Sequence, residues 1–222
     1  LPAIYNFNHV IVRADVNGKT YWLDPTLSYQ GGSAKTLVMP NYGYVLPLRN
    51  GQRSLEKIIV PAPQAPNLEV VETYRLTEDQ QMLLDVSTVY RAWAADRNRQ
   101  IIAASGAKAT SEKNHAYYRE LYPGITIAKK MQVTDDDAAN VVKETESYHL
   151  GSLDYDLNDL GEKLSIRATA LKNSLPTSLT SGRTIPLGLS NNLYRKHTMR
   201  IITPKPPAAQ PAMNTTLSAP GI

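Results

Sequence analysis

The chain reads as α+β and β-rich. Three features predict this: an Asn-Gly turn between two β-rich runs, period-two apolar alternation beyond a proline-rich spacer, and a helix-forming stretch within residues 94–122. The turn is Asn17-Gly18. Both central residues of a type I′ turn need positive φ, and Asn and Gly tolerate it best. With these two residues as the loop, Val16 faces Lys19 and Arg13 faces Trp22. Continued outward, the register sets Asp24 opposite Ile11 and His9 opposite Thr26. Val10, Val12, Ala14, Tyr21 and Leu23 then share the other face, which is expected to be buried.

Further along, Gln30-Gly31-Gly32-Ser33 reads as a plain turn, because a phosphate loop needs spaced glycines and a following Lys-Ser/Thr. Short strands are predicted at 36–39 and 44–48. Pro61-Ala62-Pro63-Gln64-Ala65-Pro66 favours an extended spacer and marks a domain boundary. Past it, Leu68, Val70, Tyr74 and Leu76 share one strand face, and Met82, Leu84, Val86, Thr88 and Tyr90 share the next, joined by Thr77-Glu78-Asp79-Gln80. Helices are predicted near 94–104 and 111–122. Ser105-Gly106 breaks them, Ser111 caps the second, and Pro123-Gly124 stops it. Strands follow at 125–133 and 141–148 around an Asp135-Asp136-Asp137 turn, with alternation again at 163–171 and a last strand at 198–202. The expected organisation is a β-rich unit over 1–60, a linker at 61–66, and a β-sandwich-like domain with two helices over 67–203. A Pro/Ala-rich tail at 204–222 is too poor in apolar residues to pack.

Composition narrows the function. At 222 residues and 42% hydrophobic content, the chain can build one large or two small cores. The net charge is only +4, without a Lys/Arg run, zinc spacing or aromatic-basic motif, so nucleic acid is not an expected partner. No apolar run approaches the roughly 18–20 residues of a membrane span. The aspartate triplet lacks the glycine and terminal glutamate of a calcium loop, and His115, His149 and His197 have no neighbour at ligand spacing. Neither a metal nor a cofactor is expected, and the sequence does not specify an oligomeric state.

One constellation could carry chemistry. His9 and Asp24 fall on the same face of the ribbon as diagonal neighbours, about 7–8 Å apart at Cα. Pro25 has no backbone donor and ends the strand at Asp24, where a sheet can open toward a cleft. Arg13 opposite Trp22 could brace the pair by setting a guanidinium over an indole, or be an ordinary cross-strand contact. The His/Asp pair can likewise be read as a surface contact at a strand end.

Phe7-Asn8-His9-Val10, followed by Tyr21-Trp22-Leu23-Asp24-Pro25-Thr26, resembles the second half of a bacterial transglutaminase-like (papain-like cysteine) core. More closely, it resembles large Gram-negative proteins that join an N-terminal domain of unknown function to that core and then to a C-terminal β domain. Tyr42-Gly43-Tyr44 and the stretch 70–148 extend the resemblance. It implies a Cys-His-Asp triad in chain order, with His9 catalytic and Asp24 orienting it. It also implies thiol-dependent acyl transfer or hydrolysis at an amide of a protein or peptide, in the periplasm or cell envelope. The sequence departs from the pattern in one respect: it has no cysteine. The expectation is therefore a fragment that begins inside the catalytic domain and is inactive alone. The alternative is a non-catalytic β-rich binding module of the envelope with a vestigial His/Asp site.

Overall fold

The computed structural model describes residues 7–33, 37, 42–59, 63–79, 81–152, 166, 168–173 and 194–204. Strands β1 (Val12–Val16) and β2 (Lys19–Leu23) pair antiparallel about Asn17 and Gly18, whose φ values are 50° and 73°. The register runs from Val16↔Lys19 to Val12↔Leu23 and includes Arg13↔Trp22, as the turn dictates. Pairing stops at Val12 and Leu23, so His9 and Asp24 lie just past the ladder. The face expected to be buried is partly open, with Val10 72% and Val12 48% exposed. The ribbon is a sheet of two strands, and Ala14, Tyr21 and Leu23 on the same face are half-buried.

A second ribbon pairs β3 (Tyr44–Val45) with β4 (Glu56–Lys57), shorter than the predicted strand at 44–48. Glu56 ties the two ribbons together by accepting from Arg13 Nη1 at 2.8 Å and from Arg49 Nη2 at 2.6 Å. The strand predicted at 36–39 and the start of the spacer, 61–62, lie mostly outside the described residues.

The larger body is strand-rich and mixed α/β. Strands β5 (Leu68–Leu76), β6 (Gln81–Arg91), β7 (Thr126–Asp136), β8 (Val141–Ser152) and β9 (Arg195–Ile202) form one sheet in the order β7-β8-β6-β5-β9. All its pairs are antiparallel except β5 with β9. The aspartate triplet is not the turn: Asp135 and Asp136 still pair with Val142 and Val141. Reversal is deferred to Asn140, which takes φ 52° as few other side chains can.

Helix α1 (Trp93–Leu121) runs through both predicted helices and is kinked at Gly106, with φ 82° and ψ 151°. Ser111 is therefore inside it, not at its cap. Ala107-Lys108-Ala109 are strong helix formers, so the helix resumes at once, and Thr110 Oγ1 donates to the Gly106 carbonyl at 3.1 Å. Where alternation predicted a strand at 163–171, the described part is a short helix, α2 (Thr169–Lys172). Residues 163–165 and 167, and the tail from 205, lie outside the described residues.

The core gathers Val70, Tyr74, Met82, Leu84, Val86 and Tyr148 of the sheet with Tyr118 of α1 and Ile125. Among the described residues the layer against this face is helical, not a second sheet. Glu72, Glu144 and Glu146 sit on the same face and are buried. A buried carboxylate is costly unless hydrogen-bonded. Glu72 accepts from the hydroxyls of Tyr74 and Tyr118 at 2.9 Å each, Glu144 from Asn98 Nδ2 at 2.8 Å and Tyr90 at 3.1 Å, and Glu146 from Tyr148 at 2.8 Å. His197 Nε2 lies 3.1 Å from Glu72, at ion-pair distance but outside hydrogen-bond angles.

Candidate active site

His9 Nε2 is 2.7 Å from Asp24 Oδ2, a hydrogen bond made where the ribbon has just ended its ladder. The Asn17-Gly18 register puts both residues on one face, and Pro25 turns the chain away immediately after the carboxylate. Asp24 is 1% exposed. Its Oδ1 accepts from Thr26 N at 3.0 Å and Thr26 Oγ1 at 2.6 Å, the side chain bonding its own backbone two residues on. Its Oδ2 also accepts the hydroxyl of Tyr42 at 2.6 Å. The Tyr42 ring stacks on the imidazole, with centroids 5.2 Å apart at 28°.

Electrostatics follow from this geometry. Burial alone would raise the Asp24 carboxyl, but the donors from Thr26, Tyr42 and His9 outweigh it and hold the group well below the usual carboxylate range. Burial, reinforced by the adjacent Asp24 charge, pushes the Tyr42 hydroxyl up to about 12. Asp24 is thus a fixed negative charge and Tyr42 a fixed donor at neutral pH. The imidazole is held from its edge by Asp24 and from its face by Tyr42, while a third of its side chain stays exposed. With Nε2 committed to the carboxylate, Nδ1 is the nitrogen that can exchange a proton with a nucleophile.

Arg13 and Trp22 form the cross-strand pair, with the guanidinium carbon 5.7 Å from the ring centroid. Arg13 also binds Asp15 and Glu56, so it braces the two ribbons and makes no bond to His9 or Asp24. Thr26 and Tyr42 escaped the sequence reading as site members. Thr26 was legible in the Asp-Pro-Thr turn. Tyr42 comes from a separate segment, and no spacing rule brings it to Asp24.

The segment after Asp24 is anchored to the larger body. Gly31 N donates to Asp96 Oδ1 at 3.0 Å and Gly32 N to the Asp137 carbonyl at 2.6 Å, while Arg99 Nη1 donates to the Tyr29 carbonyl at 3.3 Å. Arg99 grips Asp135 through Nε and Nη2 and reaches Asn140 Oδ1 at 2.7 Å. A Cβ on Gly31 would lie 2.7 Å from Arg99 Nη1 and 2.9 Å from Asn140 Oδ1 and Asp137 Oδ1, so any larger residue there displaces the ends of these bonded side chains. The aspartate triplet, read from sequence as a solvated turn, helps form this receptor for the 29–32 loop.

Among the described residues no cluster of His, Asp or Glu could hold a metal ion, and no helix is long and apolar enough to cross a membrane. Set against known proteins, the chain matches no family model, no curated protein and no solved structure.

Proposed function

We propose that His9 and Asp24 are the base and its orienting carboxylate in a thiol-dependent acyl transfer or hydrolysis at an amide, within a bacterial transglutaminase-like protein of the cell envelope. What carries this reading is the 2.7 Å His9–Asp24 bond to a carboxylate that three further donors keep buried and charged. A base that must accept and return a proton needs one tautomer and one orientation, and Asp24 supplies both. The thiolate attacks the amide carbonyl carbon, His9 Nδ1 having taken the thiol proton. The tetrahedral intermediate collapses, and His9 gives that proton to the leaving amine. A water or acceptor amine then attacks the thioester carbon while His9 takes its proton. The adduct collapses with cleavage of the C–S bond, releasing the acid or new amide and the thiolate paired with the protonated imidazole. The sequence contains no cysteine, so the thiol comes from polypeptide outside it. This chain alone should hydrolyse no amide and incorporate no amine above background.

The rival reading is a non-catalytic binding module in which the His/Asp pair is structural. One experiment separates them: kcat/KM for amide hydrolysis and amine incorporation by the longest native polypeptide that contains this chain, before and after thiol alkylation. Activity abolished by alkylation supports the enzyme. Inertness toward amides, with the fold intact by circular dichroism, favours the binding module.

A further inference from the structure

The sheet face turned away from α1 carries two rows of side chains that cross its strands. Pairing puts Arg200, Thr73, Asp85, Ser147 and Lys129 in one row, spanning all five strands, and Val71, Ser87, Thr145 and Gln132 in the next. These residues line a groove of about 650 Å³, with Val86, Lys130, Met131 and Glu146 also at its wall. The Met131 side chain itself turns to the helix side, where Asn114 Nδ2 lies 3.5 Å from its sulfur. The cause of its shape is local. Strand β7 is bulged twice around Lys129, between Ile127 and Lys129 and again between Lys129 and Gln132. Each bulge adds a residue to β7 against β8, and Lys129 keeps its place opposite Ser147 on the groove face, with Lys130 beside it at the groove wall.

We propose that this groove binds an extended peptide segment with acidic side chains at both ends. It shares no residue with the His9 site and does not rest on that reading. Two cations, Lys129 and Arg200, stand at its two ends on the two edge strands, with Lys130 next to Lys129 in the bulge. All three are exposed and, among the described residues, without a carboxylate partner. The carboxylate that the two rows contribute, Asp85, is already engaged by Ser147 Oγ at 2.6 Å and Arg75 Nη2 at 3.2 Å. Four strand spacings separate the cation-bearing ends, about 19 Å, which is the reach of roughly six extended residues. Between them Thr73, Ser87 and Thr145 offer hydroxyls to a peptide main chain. Among the described residues no aromatic ring lines the groove, so these offer no stacking platform of the kind that single-stranded nucleic acid uses.

The test is a titration of the isotope-labelled chain, followed by amide NMR shifts, with two capped heptapeptides of equal charge. One has two glutamates at each end and three threonines between; the other has four adjacent glutamates in the middle. The end-loaded peptide should bind about 3-fold more tightly and shift the amides of Thr73, Ser87, Thr145 and Ser147. Replacing Lys129→Gln with Lys130→Gln should weaken it about 5–10-fold, and Arg200→Gln about 3-fold, as expected for exposed charge pairs. The replaced side chains are exposed, and unchanged circular dichroism confirms the fold. Equal affinity for the two peptides, shifts confined to other surfaces, absence of binding, or undiminished binding by the variants would each overturn the proposal.

Discussion

Four donors converge on one buried carboxylate at Asp24, so each makes a charge-assisted hydrogen bond, stronger than a neutral one. Tyr42→Phe keeps the ring against His9 but removes a donor from Asp24 Oδ2. Urea unfolding should register a loss of roughly 1–3 kcal/mol, the range for stranding part of a buried acceptor. The pH dependence has a definite sign. The folded carboxyl of Asp24 sits below its ordinary 3.8, so its contribution is full above that value and lost as pH falls beneath it. Tyr42 behaves oppositely: raised from 10.0 to about 12, it contributes below pH 10 and loses that contribution as pH climbs toward 12. Unfolding free energy of the wild-type chain and Tyr42→Phe across pH 2–12 would show their difference shrink as pH rises from 10 toward 12. At this scale the His/Asp contact was legible, because a two-residue turn fixes a register and a register fixes faces. The tyrosine was not, because a contact between residues 24 and 42 depends on tertiary packing.

Among elements, the 27–33 segment links the site ribbon to the sheet. Its anchoring depends on backbone donors at Gly31 and Gly32 and on a guanidinium bound to Asp135. Gly31→Ala sets a methyl against the side-chain ends of Arg99, Asn140 and Asp137, which must shift and loosen the bonds Arg99 makes to Asn140 and the Tyr29 carbonyl. The expected readout is loss of hydrogen-exchange protection at the Gly31 and Gly32 amides, while β5, β6 and β8 stay protected. Unchanged protection at Gly31 would mean the loop is held by other contacts. Element legibility followed local chemistry. The strands at β5 and β6 announce themselves by period two and the helix stop by Pro123-Gly124. The kinked but continuous α1 did not, since Gly106 lets a helix bend without ending, and Ser111 looks like a cap only if the helix has stopped. The turn beyond β7 was misplaced because three aspartates resemble a loop, although Asp135 is held by Arg99 of another element.

Over the whole molecule, the larger body has a core in which glutamates and tyrosines share the face that alternation marks as apolar. Glu72 falls between Val70 and Tyr74 in the same strand pattern, yet a period-two count registers only the apolar members. Burial raises the hydroxyls of Tyr74, Tyr90, Tyr118 and Tyr148, so the fold should lose stability steeply above pH 10, where the unfolded chain ionises freely. Tyrosinate absorbance should therefore rise in two stages, exposed rings first and buried ones together with unfolding. A single smooth titration without unfolding would contradict the buried network. Glu146 runs against the usual carboxylate trend: burial raises it above 4.5, so its ionisation subtracts stability as pH rises through that region.

The most direct test of the central claim compares kcat/KM for His9→Ala, Asp24→Asn and the double variant, in the longest native polypeptide that supplies the thiol. His9→Ala should lose several orders of magnitude, because one group both activates the nucleophile and protonates the leaving amine. Asp24→Asn should lose roughly 10–10³-fold, since the thiolate–imidazolium pair persists but loses its fixed negative partner. The double variant should be scarcely worse than His9→Ala, as residues acting as one unit are non-additive. An active His9→Ala enzyme, losses that multiply independently, or no thiol-sensitive activity in the longer polypeptide would contradict a shared catalytic unit at His9 and Asp24.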